Sequence, residues 1–87
     1  MDRKYIIETV NSALGEEFEL DQAKLKPSAD IREDLRMDSL DMVDMILALE
    51  RAFSFKLGDR SKVQHIKTLG DVYDFIESLA KDGIVNR

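Results

Sequence analysis

Ser39 is the residue whose surroundings suggest chemistry. The run Asp38-Ser39-Leu40-Asp41 opens the strongest amphipathic segment of the chain, so the Ser39 hydroxyl falls in the first turn of a helix with an aspartate on either side. A helix start presents unpaired N–H groups and the positive end of the macrodipole, an environment that favours a phosphate joined to that oxygen. The flanking aspartates oppose such a phosphate, and docking to a basic modifying enzyme would account for them. On the residues alone a plainer role is commoner: Asp38 or Ser39 acts as the helix cap, accepting a hydrogen bond from an orphaned backbone N–H. Other candidates carry less. The lone histidine, His65, has no spacing to a serine and an acid that suggests a catalytic triad. A calcium loop opening at Asp30 would have Arg32 at a ligand position and would lack the required glycine, so no metal site is expected. The chain has no cysteine, which removes disulfides, thiolate zinc sites and a thiol nucleophile of its own. Any thiol chemistry needs a thiol supplied from outside.

The elements that must position Ser39 follow from apolar spacing. Ile6, Ile7, Val10, Ala13 and Leu14 recur at three- and four-residue intervals, which predicts a first helix ended by Gly15. Residues 16–38 contain the only proline, Pro27, together with Phe18, Leu20, Leu25, Ile31 and Leu35. A structureless loop of that length is uncommon in a compact domain, so this segment is expected to lie ordered across the core. The second helix starts at Ser39, with Val43, Ile46, Leu47, Leu49 and Phe53 apolar and Asp41, Asp44, Ala48 and Arg51 on a wet face. A short helix is expected within 59–66. Thr68 and Asp71 have capping-box spacing and open a final helix with Leu69, Val72, Phe75, Ile76 and Leu79 inward. Gly83 stops it, and residues 84–87 are expected to fray. The fold class is all-α: a four-helix bundle of three longer helices and a short third one, with a long ordered loop between the first two, in one domain spanning 1–87.

Composition limits what such a bundle can do. With 87 residues there is room for one core, and most apolar side chains are needed to hold the helices together. That favours binding or carrying over an active site built from several loops. The 18 acidic residues outnumber the 13 basic ones, so nucleic acid is a poor partner and basic protein surfaces are good ones. No run of about 18 apolar residues occurs, and the beginning Met1-Asp2-Arg3-Lys4-Tyr5 is unlike a signal peptide. The expectation is a cytoplasmic monomer with no membrane span.

The segment from Ile31 to Phe53 resembles the centre of bacterial acyl carrier proteins. Glu33-Asp34-Leu35 is followed at short spacing by Asp38-Ser39-Leu40, then by an acidic amphipathic helix running into Ala48-Leu49-Glu50. Weaker similarity covers most of the chain. The resemblance implies an acyl-carrier-type bundle in which Ser39 receives 4′-phosphopantetheine from coenzyme A through a separate, normally magnesium-dependent phosphopantetheinyl transferase. The arm's terminal thiol would hold an acyl group as a thioester for fatty-acid or related lipid or polyketide biosynthesis, while the chain itself catalyses nothing. Partners would be acyl-loading and acyl-using enzymes with basic docking surfaces. The resemblance also implies docking through Asp38, Asp41, Asp44 and Glu50, flanked by Arg36 and Arg51. An acyl pocket would be lined by Ile31, Met42, Met45, Ile46, Leu49 and Ile66.

Two departures stand out. The family commonly has glycine where this chain has Arg36, two residues before Asp38. Residues 30–50 hold seven acids and two bases, whereas residues 51–67 hold five bases and one acid, so the charge is split where relatives are usually acidic. Such a surface suits a specialised member with its own partners, because like charges brought together oppose association. Two other functions are open to this sequence. One is an aminoacyl or peptidyl carrier with the same modified serine, from which Leu40-Asp41 leans away. The other is an unmodified helical interaction domain that binds a partner helix in an apolar groove.

Overall fold

The first helix is held at both ends by side chains and backbone that the sequence supplies locally. In α1 (Arg3–Phe18) the Asp2 carboxylate accepts the Lys4 N–H at 3.2 Å. The helix runs past Gly15 and stops at Glu19, whose backbone is left-handed at φ 53°. The Leu20 N–H then donates to the Gly15 carbonyl at 3.1 Å. Gly15 is therefore not the stop expected of it. A Cβ there would lie 2.6 Å from Nε2 of Gln22, the tip of an exposed and flexible side chain that can swing aside. The computed structural model describes residues 2–57 and 60–85, and of residues 60–62 the backbone alone.

The connection that follows is ordered and packed, as its spaced apolar residues predict. A 3₁₀ turn at Gln22–Lys24 is capped by Asp21. Leu25, Ala29, Ile31, Leu35 and Met37 are all buried in the core. Two further helices complete the frame: α2 (Ser39–Phe53) and α3 (Leu69–Lys81). At the start of α3, Thr68 Oγ1 accepts the Asp71 N–H while the Asp71 carboxylate accepts the Thr68 N–H, the capping box that the sequence predicts. Leu69, Val72, Ile76 and Leu79 are buried as expected, Phe75 is half-buried, and Tyr73 is fully buried as well. The Tyr73 hydroxyl donates to Asn11 Oδ1 at 2.6 Å, and Asn11 Nδ2 donates to the Leu25 carbonyl at 3.3 Å. This chain of bonds ties α3, α1 and the connection together.

The molecule is all-helical. Among the described residues there is no strand, only an isolated antiparallel bridge between Asp30 and Thr68. Among the described residues no helix is long and apolar enough to cross a membrane. Arg60–His65, where a short helix is expected from residue 59 onward, winds as a 3₁₀ helix, the tighter form used in short connectors. Residue 59 lies outside the described residues. The end of α3 corrects another expectation. Gly83 takes φ 78°, the Ile84 N–H donates to the Leu79 carbonyl at 2.9 Å, and Val85 is buried against the core. Residues 84 and 85 thus belong to the packed structure instead of a frayed tail, and 86–87 lie outside the described residues. Burial of an apolar side chain provides the reason: Val85 gains a place in the core once Gly83 turns the chain back.

Candidate functional site

The first turn of α2 divides its labour among three adjacent residues. Asp38 is the cap: its Oδ1 accepts the Asp41 N–H at 3.0 Å, and Asp41 Oδ2 accepts the Asp38 N–H at 3.0 Å. Ser39 is therefore the first helical residue and has no capping duty. Its side chain is exposed, and its hydroxyl makes no hydrogen bond with the described residues. The ambiguity between Asp38 and Ser39 as cap is resolved in favour of Asp38. The two aspartates also have a structural explanation, because acids in a first helical turn satisfy orphaned donors and suit the dipole.

Ser39 lines a cleft of about 510 Å³ formed by residues 30–33, the first turn of α2 and Val63, Gln64, Ile66 and Lys67. Ile31, Met42 and Ile66 contribute apolar surface to it. Met45, Ile46 and Leu49, also expected in a pocket, are not part of it. They are at most 2% exposed and pack into the main core with Phe53. The helical period separates the two groups: Ser39 and Met42 face the cleft, and the following turns of the same stripe face the interior. Just after the cleft residue Lys67, at the start of α3, Asp71 is held below the usual carboxylate range by hydrogen bonds from the backbone N–H groups of Lys67 and Thr68.

The solvent face of α2 differs from the one its charges suggest. Leu40, Val43 and Leu47 are exposed, with 76% of Leu40 accessible, and Asp44 lies among them. Val43 and Leu47 were expected inward, and Ala48, expected on the wet face, is buried instead. The helix has more apolar residues than one buried stripe can take, so periodicity alone does not decide which of them face water. Asp38 is exposed and Asp41 half-buried within the cap.

Two residues expected at a docking surface make internal contacts. Glu50 is only 8% exposed, and its Oε2 accepts the Leu57 N–H at 2.8 Å, fixing the chain that leaves α2. Arg51 is exposed but reaches back to α1, where Nη2 meets Glu17 Oε1 at 3.0 Å. Arg36 is exposed, has φ 59°, and makes no ion pair or side-chain hydrogen bond with the described residues. The residues that sequence reasoning missed are the apolar trio on α2 and the cations Arg32 and Lys67, which line the cleft. The surplus of apolar residues in α2 was the available signal for the first.

The family described as phosphopantetheine attachment site matches residues 5–76 of the chain. The acyl carrier protein of Thermosynechococcus vestitus is 37% identical over 78 residues, which cover 90% of this chain and 95% of that protein. That of Coprothermobacter proteolyticus is 36% identical over 78 residues, covering 90% and 94%. That of Saccharopolyspora erythraea is 38% identical over 74 residues, covering 85% of this chain and 77% of its own length.

Proposed function

The chain belongs to the acyl carrier proteins, and on that basis we propose that Ser39 Oγ is the point of attachment of its 4′-phosphopantetheine arm. A carrier of this family transports acyl groups in fatty-acid or related biosynthesis and is not itself a catalyst. It works with a phosphopantetheinyl transferase and with acyl-handling enzymes. When attached, the arm supplies the thiol that carries the acyl group, a function this cysteine-free chain cannot provide.

One observation carries the assignment. Asp38 caps α2, so the neighbouring serine has an exposed hydroxyl with no hydrogen-bond partner among the described residues, and that hydroxyl opens onto a cleft. The residues around it fit the group. The first turn of α2 offers a positive dipole end beside the oxygen to be esterified, and the cleft offers both apolar and polar walls. Ile31, Met42 and Ile66 are the residues suited to sheltering apolar parts of the arm or its cargo, with the flexible Met42 able to adapt.

Docking follows from the α2 surface. Leu40, Val43 and Leu47 form an exposed apolar stripe, bordered by Asp38 and Asp44, that suits a partner with an apolar contact surface and a basic rim. Arg36 stands beside Ser39 and would discriminate among partners by repelling a basic rim. The 3₁₀ stretch Arg60–His65 is the counterpart of the short third helix of the carrier bundle. The whole chain then acts as one carrier domain, a monomer working in the cytoplasm.

The test is intact-mass measurement after incubation with coenzyme A, magnesium and a broad-specificity phosphopantetheinyl transferase. Wild type should gain one arm and Ser39→Ala none. A Ser39→Ala protein that still gains the arm refutes the assignment. Should wild type stay unmodified, Arg36→Gly in the same mixture distinguishes a blocked approach from a wrong site.

A further inference from the structure

The cleft beside Ser39 has two walls that are locked to each other through the backbone. The Ile31 N–H donates to the Lys67 carbonyl at 2.8 Å, Asp30 and Thr68 form the antiparallel bridge, and the Leu69 N–H donates to the Ala29 carbonyl at 3.1 Å. Arg32 follows one end of this link and Lys67 stands at the other. Both line the cleft together with Ser39. Their positions are therefore fixed at the backbone although their side chains are exposed.

Both cations are available to a ligand. Neither makes an ion pair with a described residue, because the neighbouring carboxylates are committed to backbone donors. Asp30 Oδ1 accepts the N–H groups of Arg32 and Glu33 at 2.9 and 2.8 Å, and Asp34 Oδ2 accepts the Asp30 N–H at 2.8 Å. Asp71 Oδ2 accepts those of Lys67 and Thr68 at 2.9 and 3.1 Å, and it senses the Lys67 charge without pairing to it. Among the described residues Glu33 is the remaining acid of the cleft, and it pairs with neither cation. The cavity, at about 510 Å³, is in the range of small-molecule sites, roughly 300–1,000 Å³. An anion attached at Ser39 meets repulsion from Asp38 and Asp41, so opposite charge on the other side of the cleft has a purpose.

Resting on the assignment of Ser39, we propose that Arg32 and Lys67 form an anion-binding pair for what hangs from that residue. They take anionic oxygens, either those of the phosphodiester at the root of the arm or those of a carboxylate on a short dicarboxylic cargo. A planar guanidinium binds two oxygens side by side, and an ammonium adds a mobile point charge, so together they suit either group.

The test uses apo, holo, acetyl-loaded and succinyl-loaded protein, each as wild type and as the Arg32→Gln/Lys67→Gln double variant. Nuclear magnetic resonance reads the Arg32 Nε–H, the phosphorus of the phosphodiester and a labelled succinyl carboxylate. If the phosphodiester is the ligand, Arg32 Nε–H moves between apo and holo, and the phosphorus resonance differs between wild type and double variant. If the cargo carboxylate is the ligand, Arg32 moves between the acetyl and succinyl forms. The carboxylate then titrates about half a unit lower in wild type than in the double variant. Either effect should fade at about 1 M salt, where the screening length is roughly 3 Å. The proposal is overturned if Arg32 is unmoved across all four forms, or if the phosphorus and carboxylate behave alike in both proteins. Intact mass on the same samples reports arm attachment, so failure here is distinguishable from failure at Ser39. Both substituted residues are exposed, and circular dichroism checks that the double variant remains folded.

Discussion

Replacing Arg36 by glycine should make this protein more stable, although it deletes a large side chain close in sequence to Ser39, the proposed attachment residue. At φ 59° the Arg36 backbone is in the left-handed region, where a residue with a Cβ is strained by about 1–2 kcal/mol. Glycine removes that strain but loses roughly 0.5–1 kcal/mol through the greater freedom of its unfolded chain. The Arg36 side chain offsets none of this, being exposed and free of ion pairs and side-chain hydrogen bonds with the described residues. The net gain is about 0.5–1 kcal/mol, which for a domain of this size raises the melting temperature by about 5 °C. Urea and thermal unfolding of wild type, Arg36→Gly and Arg36→Ala would measure it. Arg36→Ala is the decisive control, because alanine keeps the strained backbone and loses only the side chain, so it should show no gain. The urea slope should be unchanged throughout. If Arg36→Gly is no more stable than Arg36→Ala, backbone strain is not what this position stores. Strain retained beside a functional residue fits a role for the guanidinium in choosing partners.

Three other outcomes follow from side-chain hydrogen bonds. Glu50→Ala should destabilise the protein by about 1–2 kcal/mol in urea unfolding, because it leaves the part-buried Leu57 N–H without its acceptor. Tyr73→Phe should cost about 1 kcal/mol by the same measurement, since it removes the 2.6 Å bond to Asn11 from a fully buried ring. Asp71 has its pKa lowered in the folded state, so its contribution to stability is complete above the unfolded value near 3.9 and is lost as pH falls through the lower folded value. Asp71→Asn should therefore flatten the loss of stability on acidification below about pH 4, measured by urea unfolding across that interval.

Much of this was settled by local chemistry. Apolar spacing and capping residues specify α2 and α3 because a helix start needs a side-chain acceptor within one turn, and Asp38 with Asp41, and Thr68 with Asp71, supply it from a few residues away. The same local pattern around Ser39 made the carrier family recognisable. What the sequence left undecided depended on distant segments. Glu50 belongs to the loop it anchors, a fact fixed only when Leu57 folds back upon it. Val43 and Leu47 face water because α1 covers one side of α2 and the core has already taken Met45, Ile46, Leu49 and Phe53. Gly15 looked like a stop, yet the helix runs through it, and the true stop is the left-handed backbone of Glu19. The cleft itself exists because two loops far apart in sequence are joined by the Ile31–Lys67 hydrogen bond. Period and capping act within a few residues and can be read from the chain, whereas which surplus apolar or charged side chain reaches solvent is decided by the competition among all segments for one small core.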